Sequence, residues 1–178
     1  MREVFKPHLS DGNQWSIICL PTLLHPKSKG EITLTSRNPL EHPIINPHYL
    51  EEKDDVRKLI EACKLVDKIF QTEPFKDVIK PTAEEMNEDN RIDNEDHFWE
   101  LYVRKYSVTS YHPIGTCRMG REENPMTVVT VDTRVKGVKG IRVVDASIIP
   151  ESLSGNANIP TIAMAERAAD LIKINDEK

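Results

Sequence analysis

The longest apolar stretch in the chain, Ile17 to Leu24, is short and interrupted by Pro21, which limits every element the chain can build. A bilayer-spanning helix needs roughly 20 consecutive apolar residues, so no membrane span is expected. Met1 to Gln14 carries Arg2, Glu3, Lys6 and Asp11 without an apolar run, and so is not expected to act as a secretory signal. A core must therefore come from short amphipathic pieces. With 178 residues, 38% of them hydrophobic and 30% charged, the chain has the length for one domain or one and a half.

Asp54 to Phe70 reads as the clearest helix. Val56, Leu59, Ile60, Cys63, Val66, Ile69 and Phe70 recur at three- and four-residue steps, which places them on one face. Asn94 to Lys105 is a second helix, with Phe98, Trp99, Leu101 and Tyr102 as its bulky apolar set and Glu95 and Asp96 in its first turn. Pro160 to Ile174 is a third, with Ile162, Ala165, Ala169 and Ile172 as its apolar face and Pro160 near the start, where a missing N–H costs little.

Trp15 to Leu24 and Glu31 to Ser36 are rich in β-formers and flank a turn-forming stretch, so they read as paired antiparallel strands. Alternation in Glu31 to Ser36 predicts one buried and one wet face. Pro39, Pro43 and Pro47 predict an extended strap over Asn38 to Tyr49. Short strands are expected at Thr127 to Arg134 and Ile141 to Val144, joined through Gly137 and Gly140.

A formal net charge of −5 and the lack of any Lys/Arg block exclude nucleic acid as a partner class. Glu84 to Asp96 is strongly acidic and reads as a solvated loop. Cys19, Cys63 and Cys117 form no C-x-x-C; Cys19 and Cys63 read as buried core thiols. His25, His42 and His48 match no standard zinc spacing, and no metal site is expected.

Three residues toward the end carry polar groups in constrained settings. His112 lies between Tyr111 and Pro113, with Gly115 and Thr116 beyond it, and is either a hydrogen-bonded structural histidine or a base titrating near neutrality. Asn158, two residues before Pro160, is either a helix cap or a polar contact for a ligand. Asp145 ends the run IRVVDA and can cap the turn before Ser147. Cys117 stands five residues after His112, yet no third residue is placed to complete a Cys-His nucleophile.

Taken as whole segments, Tyr111 to Gly120 (YHPIGTCRMG) and Val143 to Asp170 (VVDASIIPESLSGNANIPTIAMAERAAD) resemble the C-terminal signature of the glucose-methanol-choline (GMC) family of flavin oxidoreductases. LPTLLHPKSKGEITLTSRNPLEHPIINPHYL, from Leu20 to Leu50, is similar to the flavin-linked glucose dehydrogenase and choline dehydrogenase branch. The resemblance implies an α+β fold: an antiparallel sheet backed by helices over residues 1–140, and a strand-helix segment over 141–178 that returns to an FAD-binding domain. It implies oxidation of a CH–OH group of an alcohol or sugar, with His112 taking the hydroxyl proton, Asn158 orienting the substrate oxygen and FAD accepting hydride. Asp145, Ala146, Asn158, Ile159, Pro160 and Thr161 are the implied FAD-binding residues, and the electron acceptor is expected to be quinone-like rather than dioxygen. No G-x-G-x-x-G turn for a dinucleotide occurs in these residues. The chain is therefore expected to need a separate FAD-binding domain or subunit; the other reading is a non-catalytic binding module with no flavin site of its own.

Overall fold

The computed structural model describes residues 17–79 and 94–176. They fall into two compact units: one takes in the chain up to Lys29 together with His48–Val108, the other Gly30–Pro47 together with Thr109–Lys178.

The first unit is helical. Helix α1, Lys53–Phe70, follows the apolar periodicity, with Asp54 and Asp55 in its first turn and Lys68 in its last, each charge placed to suit the helix dipole. A short turn of helix, α2 (Glu73–Lys76), follows, and Phe75 meets the edge of Phe70 at 6.1 Å between ring centroids. Helix α3 is Glu95–Tyr106, and Asn94 caps it by accepting from Asp96 N at 2.9 Å and His97 N at 3.3 Å. At 12 residues α3 is marginal as an isolated helix; it packs on α1 and buries Trp99 and Val103, and Val56 of α1 is buried as well. Each such side chain contributes about 1.5–3 kcal/mol on leaving water. Lys64 of α1 pairs with Asp96 at 2.5 Å and Glu95 at 3.6 Å across the two helices.

A buried carboxylate ties the segment before Gly30 to the start of α1. Asp55 is 1% exposed. Its two oxygens accept from Lys27 N at 2.9 and 3.0 Å, Ser28 N at 2.8 Å and Ser28 Oγ at 2.6 Å, and Ser28 Oγ in turn accepts from Glu52 N at 3.1 Å. Burial alone pushes the Asp55 carboxyl up, but these donors outweigh it and hold it below its ordinary value.

Ile17 to Leu24 is not a strand, and Cys19 within it is exposed rather than in a core; Trp15 and Ser16 lie outside the described residues. With Pro21 lacking an N–H, the segment cannot carry a regular ladder. Cys63 is half-buried on α1, where burial first, and Cys19 second, push its thiol up to about 11. Residues 84–93 of the acidic run lie outside the described residues, while Glu95 and Asp96 form the first turn of α3.

In the second unit β1 (Glu31–Thr33) pairs antiparallel with β2 (Ile44–Asn46), in the register Glu31 to Asn46, Ile32 to Ile45 and Thr33 to Ile44. The partner of β1 thus comes from the proline strap rather than from Ile17 to Leu24. Pro43 and Pro47 bracket β2 and confine it to three residues. The expected buried face is open: both strands are exposed throughout, with Ile32 48% and Ile45 68% exposed, and Leu34 just past β1 is 82% exposed. Of the expected α+β architecture, the helices and one two-stranded antiparallel sheet are present.

Between Thr109 and Ala157 this unit is built from turns and isolated bridges around Val129 and Ile148, both fully buried. Met119 bridges Val129, Val129 bridges Val135, and Arg134 bridges Arg142. No continuous strand forms over Thr127 to Arg134 or Ile141 to Val144. Positive φ at Thr133 (66°), Gly137 (76°) and Gly140 (80°) turns the chain before a ladder can extend. Helix α4, Asn158–Asp176, starts two residues before the expected Pro160. Ala157 and Ala168 are buried, whereas Ile162, expected on the covered face, is 52% exposed. Among the described residues no helix is long and apolar enough to cross a membrane.

Candidate functional site

The segment around His112 is stiff in its backbone. Tyr111 holds φ at 62°, a left-handed conformation uncommon outside glycine, and its N–H donates to Thr109 Oγ1 at 3.0 Å. Pro113 disfavours helical backbone for His112. Gly115 is also left-handed, at φ 86°, which a glycine adopts without strain.

Backbone hydrogen bonds then join this segment to residues nearly 30 positions on. Cys117 N donates to Ser147 O at 3.0 Å and Met119 N to Ile148 O at 2.9 Å. Ala146–Ile148 forms a single tight helical turn capped by Asp145, whose Oδ1 accepts from Ser147 N at 2.8 Å. Hydrogen bonds from the Ser147 side chain and then its backbone hold the Asp145 carboxyl below the usual range. The capping role read from the sequence is thus observed for Asp145.

The chain then leads through Gly155 and Asn156 into α4. Ala157 is buried, and its carbonyl accepts from Thr161 N at 3.0 Å and from Thr161 Oγ1 at 2.7 Å. Asn158 is the first residue of the helix rather than its cap, and is exposed. The first N–H groups of a helix have no carbonyl one turn back. Pro160 has no N–H and Thr161 N donates to Ala157 O, so the helix itself offers no carbonyl to the amides of Asn158 and Ile159. Ile159 is 71% exposed beside them.

His112 Nε2 lies 2.9 Å from Asn156 Oδ1, a contact spanning 44 positions of sequence. The structure therefore brings the His112 segment to the lead-in of α4, and the asparagine that meets the imidazole is Asn156. The sequence reading singled out Asn158 and passed over Asn156; the doubled asparagine in Gly155 to Asn158 was the available signal. Ala146 is half-buried and follows Asp145 directly in the tight turn. Among the described residues no three His, Cys, Asp or Glu converge as a metal site would require. His48 pairs with Glu51 at 3.2 Å in the other unit. Cys117 is half-buried, with its backbone engaged at Ser147.

Residues 26–165 match the family model described as GMC oxidoreductase. The chain is 38% identical over 168 residues to a glucose dehydrogenase (FAD, quinone) of Drosophila melanogaster, covering 93% of this chain and 27% of that protein. It is 42% identical over 149 residues to mitochondrial choline dehydrogenase of Homo sapiens, covering 82% of this chain and 24% of the relative. A solved structure of a variant formate oxidase from Aspergillus oryzae RIB40, from work on FAD modification, superposes with a TM-score of 0.70 at 29% identity, covering 84% of this chain and 25% of that one. The chain spans about a quarter of the length of the curated relatives it matches.

Proposed function

Since the chain belongs to the GMC oxidoreductase family, as the segments Tyr111 to Gly120 and Val143 to Asp170 led us to expect, we propose that it is the substrate-side portion of an FAD-dependent oxidoreductase acting on the CH–OH group of an alcohol or sugar. In this reading residues 1–140 shape the substrate site. Residues 141–178 complete a flavin-binding domain whose other parts lie outside residues 1–178. The observation that carries it is the approach of His112 to Asn156 at 2.9 Å, which joins the two signature segments at one place.

The residues suit a flavin. The first amides of α4, at Asn158 and Ile159, give a positive dipole end fit for an anionic group. Pro160 and Thr161 fix the path of that first turn, and Asp145 and Ala146 lie on the tight turn backbone-bonded to the His112 segment. FAD, when bound, supplies the two-electron acceptor for the carbon-bound hydride. His112 takes the hydroxyl proton as that hydride leaves, so the C–O single bond becomes a carbonyl with both hydrogens accounted for. Asn158 lacks a titratable group and serves by orienting the substrate oxygen through its amide. A quinone-like acceptor, rather than dioxygen, then removes the electrons.

Chain incubated with FAD and desalted is expected to keep little or no visible flavin absorbance alone, and to retain it once a GMC flavin-binding domain is supplied in the same polypeptide. With a panel of alcohols and sugars and a quinone dye, the loaded protein should turn over, and His112→Ala should lower that rate about 10²- to 10⁴-fold. An unchanged rate in His112→Ala would overturn the role given to this residue.

A further inference from the structure

We infer that Cys19 and Cys63 are a thiol pair that closes to a disulfide in the presence of a small oxidant such as glutathione disulfide, pinning the segment before Gly30 along helix α1. Both residues belong to the first unit. Neither takes part in the alcohol oxidation read for His112, Asn158 and the flavin.

The clamp on Asp55 sets the geometry. Lys27 N, Ser28 N and Ser28 Oγ all donate to this carboxylate, which anchors the segment at the first turn of α1. Cys19 stands eight residues before Lys27, and Cys63 eight residues after Asp55. Eight helical residues advance about 12 Å and end about 80° round the axis from where they began. Eight residues of chain reach up to about 26 Å, so the tether covers that distance with slack. The two thiols already sense each other: after burial, Cys19 is the group that pushes the Cys63 thiol up, to about 11. On its other side Cys63 faces Tyr102 of α3, whose phenol is raised by burial first and by Cys63 second. Among the described residues, 17–24 make one hydrogen bond, from Thr22 Oγ1 to Leu20 O at 3.1 Å, and Ile17 and Leu20 are 68% and 61% exposed. A disulfide asks for a Cα separation of roughly 4.4–6.8 Å. An unladdered segment can shift to meet it while α1 keeps its place.

Cys19 is exposed and is the thiol that meets the oxidant. Its thiolate attacks one sulfur of glutathione disulfide, forming a mixed disulfide and expelling one glutathione thiolate. Cys63, once deprotonated, attacks Cys19 Sγ and expels the second. Two protein thiols thus lose two electrons and two protons, and one glutathione disulfide becomes two glutathiones. Burial keeps Cys63 protonated at neutral pH, so the exchange begins at Cys19 and Cys63 resolves it.

The test exposes the reduced 178-residue chain to glutathione disulfide at pH 8, blocks remaining thiols with N-ethylmaleimide and maps the cysteines by peptide mass spectrometry. The Cys19–Cys63 bond within one chain should exceed either bond to Cys117 at least about tenfold, as expected of a pre-positioned pair. In urea the preference over Cys63–Cys117 should vanish, since Cys63 stands 44 positions from Cys19 and 54 from Cys117 and the two loops close with similar ease. In Cys63→Ser, glutathione should stay on Cys19; in Cys19→Ser, Cys63 should remain a thiol. Helical circular dichroism equal to wild type in both variants keeps the comparison on the folded chain. Statistical pairing in the native chain, a lasting glutathione on Cys19 of the wild type, or cross-links only between chains would overturn the inference.

Discussion

The helix pair α1 and α3 and the turn-built region around His112 satisfy their backbones by opposite routes. In the helices the N–H groups beyond the first turn find their partners four residues back, and what remains for tertiary structure is the burial of Val56, Trp99 and Val103 and the clamp on Asp55. Around His112 the partners lie up to about 30 positions away, as in Cys117 to Ser147 and Met119 to Ile148. The helical region thus concentrates its sensitivity at a few buried side chains. The site region spreads it over backbone bonds that few side-chain changes reach, a suitable arrangement for holding exposed polar groups such as His112 and Asn156 in fixed places.

The sharpest way to break the first half of this contrast is Asp55→Ala. It leaves Lys27 N, Ser28 N and Ser28 Oγ without their acceptor, and should cost about 3 kcal/mol, seen as a lower urea midpoint for loss of helical circular dichroism. A loss below about 1 kcal/mol would mean the clamp is incidental to the helix pair.

Gly30→Ala probes the second unit through its backbone. A Cβ there would lie 2.5 Å from Pro47 Cα and against Asn46 O, neither of which is a side chain able to swing away. About 2 kcal/mol of destabilisation is expected, together with loss of amide protection across β1 and β2. Retained protection would show that the ribbon accommodates the methyl by shifting as a unit.

A smaller effect concerns acid. The Asp55 carboxyl is held below its unfolded value of 3.8, so its contribution is fully present above that pH and is lost as pH falls through the lower native value. Asp55→Asn should therefore show a shallower decline in unfolding midpoint below about pH 4 than the wild type. Parallel acid limbs would assign the decline to other carboxylates.

The smallest change is expected at Thr127, whose buried Oγ1 has no hydrogen-bond partner among the described residues and lies 2.5 Å from where a Cβ on Gly120 would fall. Thr127→Val should be neutral or stabilising by up to about 1 kcal/mol, because a methyl replaces an unsatisfied hydroxyl. A marked loss would reveal an acceptor for that hydroxyl.

What was legible in the sequence follows the range of the interactions. The three long helices α1, α3 and α4 were readable, α1 and α3 nearly to the residue, because 3.6-residue periodicity and the Asn94 cap are local signals. The partner of β1 was not. Three prolines argued against a strand in the strap, and they limit β2 to three residues without abolishing it. The clamp on Asp55 was invisible too, since an acidic residue in a first turn reads equally well as a dipole partner facing water.

At the site, motif and family were legible and contacts were not. The segments Tyr111 to Gly120 and Val143 to Asp170, taken whole, were enough to show a resemblance to the GMC family, because sequence alone records which chemical groups are present and in what order. Only the tertiary structure decided that Asn156 rather than Asn158 meets the imidazole and that the ribbon face is open. Each of these depends on which distant segment supplies a hydrogen-bond partner or a cover, and that is settled when the chain packs.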